Sequence, residues 1–388
     1  MVTVQPLIYL TMAWILAYAI SIMPFIKKRL KDKGITIYPF VFIWRLSKGE
    51  KLVKMGTKRK LAWSTFGYLA LFYSLGLALF GFYFLIQNLI RFIYPQTGPS
   101  SPVVPIVPGV TINFTLDEFI IFFLIVGIIL ATHEMAHAIV ASTRGIKVKW
   151  VGFALFAFFP AGFVEIDEES ANKAKKTDRL LTFSAGTFIN FLTWIIFFIL
   201  LLNAPLLWSW GYSAQPNGIY ISEVLPNTPA SHVNIQPGDI IIALNGTLIK
   251  NIQEFVKYLA NAAPGQTLTI TLEHDNIIRN VTVKLIPHPN NASHGIIGIN
   301  VHNYYKPKFS LDPMLPYWIT LFLTWGNAIA LSVAIFNSLP IPGLDGDKIF
   351  YEILSYKKGL LSSTAITLLR ATAIILLISN MAFSIKVI

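Results

Sequence analysis

Residues 131–141 read ATHEMAHAIVA and close the apolar run FIIFFLIVGIILATHEMAHAIVA, whose ionisable groups are His133, Glu134 and His137. On a helix, residues four apart share a face, so the two imidazoles project side by side and Glu134 lies one step round from the first. Two neutral imidazoles at that spacing can hold zinc, and a carboxylate beside them can take a proton from water. The alternative is a pair of polar residues hydrogen-bonded inside a helix bundle. In a bilayer, however, ionisable side chains are costly and mark function by default.

A catalytic zinc takes three protein ligands and keeps one position open, so this pair is one ligand short. The chain has no cysteine, which excludes disulfides and thiolate ligands and leaves histidine or carboxylate for the third position. His232, His274, His288, His294 and His302 all fall in one polar stretch or at its exit. A carboxylate is therefore expected. In AIFNSLPIPGLDGDKIF, residues 334–350, Pro340, Pro342 and Gly343 break an apolar helix and Asp345 follows. Irregular backbone at membrane depth is tolerated only when it is buried in protein or lines a wet cavity, so the break marks a site.

These residues need helices to carry them. Of 388 residues, 54% are hydrophobic and only 13% charged, and the mean hydropathy is +0.60, far above what a soluble core requires. Six segments are apolar enough to span a bilayer, which takes roughly 20 residues each: about 6–25, 62–91, 116–141, 179–203, 315–337 and 360–382. Thr115-Leu116-Asp117-Glu118 is a helix-capping pattern, and at ~1.5 Å per residue His133 lies ~26 Å beyond it, near the far side of a core ~30 Å thick.

Net charge is +12. Lys and Arg crowd 26–60 and recur at Arg144, Lys147, Lys149, Lys173, Lys175 and Lys176, whereas YPQTGPSSPVVPIVPGVTINFTLDEF between the second and third spans has neither. The positive-inside rule puts the basic stretches in the cytoplasm and that loop outside. Residues 204–314 and both termini are then expected outside, with the metal site near the cytoplasmic face. Membrane orientation accounts for the basic runs without a nucleic-acid partner.

Residues 204–314 abandon the apolar pattern for short strands and turn signals, Pro237-Gly238-Asp239 and Asn245-Gly246, with one helical stretch, NIQEFVKYLANA. GIYISEVLPNTPASHVNIQPGDIIIALNGTLIKNIQEFVKYL is similar to the PDZ domains of bacterial-type proteases. That resemblance implies binding of a peptide or C-terminus by strand addition; a spacer without a ligand is the alternative.

HEMAH in one span and NSLPIPGLDG after a later one resemble the site-2 protease family of intramembrane zinc metalloproteases, in its archaeal-type form with one PDZ domain. FSAGTFINF, 183–191, is similar to a further element of that family, and GFALFAFFPAGFVEIDEES, 152–170, to the segment that follows its zinc helix. The resemblance runs from about residue 110 to the end. It implies zinc held by His133, His137 and Asp345, Glu134 as general base and later acid, and substrate or oxyanion contacts from Asn190 and Asn337. Thr187 stands where the family usually has proline. Asp347 stands where a second glycine is common, so it could compete with Asp345 or support it.

The expected fold is an α-helical polytopic membrane protein with about six transmembrane helices, a membrane re-entrant β segment and one inserted extracytoplasmic PDZ-like β/α domain. Its parts are 1–92, a two-span extension with a basic cytoplasmic loop; 110–203, the core with the HExxH helix and re-entrant segment; 212–303, the PDZ-like domain; and 313–388, the core with the LDG motif. The expected function is intramembrane proteolysis of transmembrane protein substrates at the cell (plasma) membrane, after trimming outside, with the PDZ-like domain as a gate. A membrane scaffold or receptor with a closed, non-catalytic metal site is the rival, and an ion pathway is a second. Membrane lipid is the remaining partner.

Overall fold

The structure is a computed structural model that describes residues 5–47, 57–106, 111–112, 114–156, 159–288, 291–355 and 360–385. In chain order its helices are α1 (Gln5–Ser21), α2 (Pro24–Asp32), α3 (Lys60–Ile93), α4 (Leu116–Thr143), α5 (Glu168–Lys173), α6 (Lys176–Leu202), α7 (Ala204–Trp208), α8 (Ile252–Leu259), α9 (Leu315–Ser338), α10 (Asp345–Leu354) and α11 (Leu360–Ile385). The strands are β1 (Ile35–Tyr38), β2 (Val41–Ser47), β3 (Val148–Phe156), β4 (Phe159–Ile166), β5 (Ile219–Val224), β6 (Ile240–Leu244), β7 (Thr247–Leu248), β8 (Thr267–His274), β9 (Ile277–Lys284), β10 (Ile286–His288), β11 (Asn291–Ile296) and β12 (Ile299–Asn303). The chain divides into two compact units, one of residues 1–198 with 325–388 and the other of residues 199–324.

Among the described residues five helices, α3, α4, α6, α9 and α11, are long and apolar enough to cross a membrane. The first expected span, 6–25, is instead the shorter α1, of 17 residues and so about 25 Å against a core of about 30 Å. Pro24 opens α2 and closes off α1, because proline suits the first turn of a helix and not its interior. The start of α4 is the expected capping box, with Glu118 N donating to Thr115 Oγ1 at 3.3 Å and Thr115 N to Glu118 Oε2 at 2.9 Å.

Helix α3 is bound into the first unit by a stripe of small residues. Gly67, Ala70, Ser74, Ala78 and Gly81 are buried and recur every three or four positions, the spacing that lets helix backbones approach in a membrane. A Cβ on Gly67 would lie 3.2 Å from Leu181 Cβ, and one on Gly81 3.0 Å from Leu339 Cδ2. Further along, Asn88 Nδ2 donates to Asn380 Oδ1 at 2.9 Å, joining α3 to α11.

The same unit holds an antiparallel sheet in the order β1-β2-β3-β4. Strands β3 and β4 fall in the expected re-entrant β segment, whereas 26–60, of which 48–56 lie outside the described residues, is expected as a basic loop. In the structure this loop contributes two strands, with Ile43 opposite Ala154 and Gly152 opposite Phe163. Glycine is required at 152, where a Cβ would fall 2.4 Å from the Trp44 carbonyl oxygen. The sheet leaves β4 as an edge strand.

The second unit carries a sheet in the order β12-β5-β6-β8-β9, with β7 paired to β6. Alternating residues of its strands, including Ile219, Ile221, Ile241, Leu268, Ile270 and Leu272, make a core on which Phe255 of α8 packs. Asn245 and Gly246 both take positive φ, 46° and 79°, forming the two-residue hairpin turn their types favour. Asp239 of the Pro-Gly-Asp turn is fully buried and paired with Arg279 and His274.

Candidate metal centre

His133 and His137 are buried on α4, and the break after α9 brings Asp345 to them. Helix α9 ends at Ser338, Gly343 takes φ 95°, and α10 starts at Asp345 itself. Gly346 makes the turn possible, since a Cβ there would lie 2.2 Å from the Ser338 carbonyl oxygen. The three ligand atoms form a nearly equilateral triangle: His133 Nε2 to His137 Nε2, 3.1 Å; His137 Nε2 to Asp345 Oδ2, 3.0 Å; His133 Nε2 to Asp345 Oδ2, 3.1 Å. Around a tetrahedral zinc with bonds of about 2.0–2.1 Å, ligand atoms stand about 3.3 Å apart, so the triangle fits three corners and leaves the fourth open. Among the described residues this is the one group of three that could hold a metal ion.

The other ring nitrogens test the fit. An imidazole that offers Nε2 to a metal keeps its proton on Nδ1 and needs an acceptor there. His137 Nδ1 has the Thr182 carbonyl oxygen at 2.7 Å. Beside His133 Nδ1, at 2.9 Å, is the amide nitrogen of Asn190, while Asn190 Oδ1 is buried with no hydrogen-bond partner. A half-turn of the Asn190 amide about its last side-chain bond brings the orphaned oxygen to His133 Nδ1–H. The donor set therefore suits a metal bound at both Nε2 atoms. Gly186 of α6 completes the cradle: a Cβ there would stand 2.3 Å from His137 Nε2 and 2.6 Å from His133 Nε2.

Glu134 is half-buried and, among the described residues, has no hydrogen-bond or ion-pair partner. Strand β4 crosses beside it, where a Cβ on Gly162 would lie 3.1 Å from Glu134 Cγ and 3.2 Å from the Leu130 carbonyl oxygen. Asn190, expected to contact substrate or an oxyanion, is fully buried with its amide on His133. Asn337, in the last turn of α9, is half-buried and, among the described residues, its side chain has no hydrogen-bond partner. Asp347, a possible competitor of Asp345, is turned away and paired with Arg370 of α11. Gly186, within FSAGTFINF, and Thr182, just before it, carry no signal of their own in the sequence, because both act only through the approach of α6 to α4.

Residues 121–379 match the model for peptidase family M50. An uncharacterized protein of Methanocaldococcus jannaschii is 28% identical over 358 residues, 91% of this chain and 87% of that protein. Zinc metalloprotease RasP of Geobacillus kaustophilus is 25% identical over 225 residues, 47% of this chain and 51% of that protein. Among solved structures, the PDZ domain of an SdrC-like protein of Listeria monocytogenes is 27% identical and covers 22% of this chain and 87% of that one, with a TM-score of 0.20. The family match takes in well over half of the chain and includes both metal-binding segments, so this protein belongs to peptidase family M50, as a zinc-dependent endopeptidase of the site-2 protease type.

Proposed function

We propose that this protein cuts transmembrane segments of membrane-anchored proteins, within the bilayer, once the substrate has been trimmed outside. The observation that carries the reading is the burial of the His133–His137–Asp345 triangle among helices long enough to span a membrane, with Glu134 beside it and unpaired among the described residues. His133, His137 and Asp345 would hold zinc, which supplies a Lewis acid for the scissile carbonyl and makes water acidic enough to ionise near neutral pH. Glu134 would take the proton from the attacking water and return it to the leaving amine. The Thr182 carbonyl and Asn190 keep protons on the Nδ1 atoms, so both Nε2 lone pairs face the ligand position.

A transmembrane helix hides its carbonyls in hydrogen bonds and must unwind before one can react. The edge of β4 beside Glu134, unpaired among the described residues, suits an extended segment added as a further strand, and the Asn337 amide, without a partner among those residues, could bond to it. The basic loops support a cytoplasmic side for the hairpin and metal site and an outer side for the PDZ-like insert, where the insert would act as a gate against bulky outer domains.

The test is cleavage of a single-span model substrate by the purified protein in detergent. Cleavage should stop with 1,10-phenanthroline, return with added zinc, and slow when a folded domain is fused to the substrate's outer end. Chelator-insensitive cleavage would overturn the assignment. Asn190→Ala should weaken zinc binding about 10–100-fold, as losing the partner of a metal-bound histidine does, while turnover at saturating zinc is largely kept. Intact zinc affinity with collapsed turnover would instead make Asn190 a substrate contact.

A further inference from the structure

Helix α11 carries a single charged residue, Arg370, which lies about 15 Å from its start. An ionised side chain at such a place is costly and is retained with a partner. Its partner is Asp347: Arg370 Nε donates to Oδ1 at 2.5 Å and Nη2 to Oδ2 at 2.8 Å, so both carboxylate oxygens are engaged. Asp347 is buried and stands two residues after Asp345, in the first turn of α10. Residues two apart on a helix point about 200° apart, which separates the two carboxylates as long as the turn stays helical. Lys348 Nζ donates to Asp345 Oδ1 at 3.2 Å, leaving Oδ2 as the oxygen that meets both imidazoles.

We infer that Arg370 is a positioning residue of the metal centre: by engaging both oxygens of Asp347 it keeps that carboxylate out of the site, so that Asp345 alone completes the ligand set. The inference rests on the metal-centre reading above. Without Arg370, a buried carboxylate beside a divalent cation has no counter-charge, and removing one member of a buried pair is far more disruptive than removing both. A metal held by Asp345, two residues away, would then compete for that carboxylate, while Lys348 is engaged with Asp345 Oδ1. Recruitment requires the first turn of α10 to unwind and takes Asp345 with it.

The experiment measures zinc affinity by chelator competition, and cleavage, for the full chain and for Arg370→Met, Asp347→Asn with Arg370→Met, and Asp345→Asn. Arg370→Met should lose about tenfold or more in zinc affinity, the size seen when support of a metal ligand is removed, with a matching fall in cleavage. The double variant should recover zinc affinity to near wild type, because no carboxylate is left to sequester. Wild-type zinc affinity in Arg370→Met, or a folded double variant no better than Arg370→Met, overturns the inference. If Arg370→Met does not fold, the double variant decides alone: near-wild-type affinity supports the role and weak affinity refutes it. Asp345→Asn separates the two levels. Zinc bound there as in wild type defeats the metal-centre reading, whereas zinc lost there but kept in Arg370→Met defeats only the role of Arg370.

Discussion

Glu134→Gln leaves zinc bound and stops cleavage. Glu134 is outside the triangle of ligand atoms, so exchanging its carboxylate for an amide removes no metal ligand. The site keeps its shape as well, since Gln retains the Cγ that packs beside Gly162 and, among the described residues, Glu134 has no hydrogen-bond or ion-pair partner to lose. What disappears is the group that can accept a proton from water one residue away from the metal-binding imidazole. Loss of a positioned general base costs typically about 10²–10⁴-fold, more where the same group must return the proton to the leaving amine. The measurement pairs elemental zinc analysis with single-turnover cleavage of the model substrate. Stoichiometric zinc with activity below a hundredth of wild type is expected, and full activity would sink the assignment of Glu134.

The chemistry was more legible in the sequence than the scaffold that aims it. His133, Glu134 and His137 declare themselves because helical periodicity alone puts them on adjoining faces, and apolar surroundings make their presence costly. Asp345 was found through the broken backbone before it, since Pro340, Pro342 and Gly343 cannot continue a helix. The strands β1 and β2 were hidden by neighbouring lysines: a charge run read as a cytoplasmic loop masked the alternation of ITIY and VFIWRLS. Their turn is only half marked: Pro39 suits its first central position, but Phe40, with φ 59°, occupies the one usually marked by glycine or asparagine. The stripe on α3 shows only after a helix is assumed and its small residues are sought rather than its large ones. Arg370 was visible as a charge in a span, but its partner lies 23 positions away, and no local rule connects them.

Gly186→Ala should empty the metal centre. The added methyl would stand 2.3 Å from His137 Nε2, 2.5 Å from His133 Cε1 and 2.6 Å from His133 Nε2, closer than real side-chain contacts permit. Neither ring has room to retreat. His137 is held at Nδ1 by the Thr182 carbonyl and His133 at Nδ1 by Asn190, both partners on α6, the helix that carries Gly186. The helices cannot part cheaply, because Ala136 and Val140 of α4 pack against Leu181 and Ala185 of α6 in a buried cluster. Overpacking of this kind costs typically 1–3 kcal/mol when neighbours can adjust, and here adjustment means moving the ligand atoms themselves. Zinc content is therefore expected to fall below about a tenth of wild type, consistent with the loss of roughly 1.4 kcal/mol or more of binding free energy, and the rise in Tm that zinc gives the wild-type protein should vanish. Gly127→Ala on α4 is the control, since a Cβ there meets nothing within 4 Å and alanine favours a helix over glycine by about 1 kcal/mol; it should keep both zinc and cleavage. A Gly186→Ala protein with stoichiometric zinc would mean that α6 does not approach the imidazoles as closely as the cradle requires, and the support assigned to Thr182 and Asn190 from the same helix would fall with it.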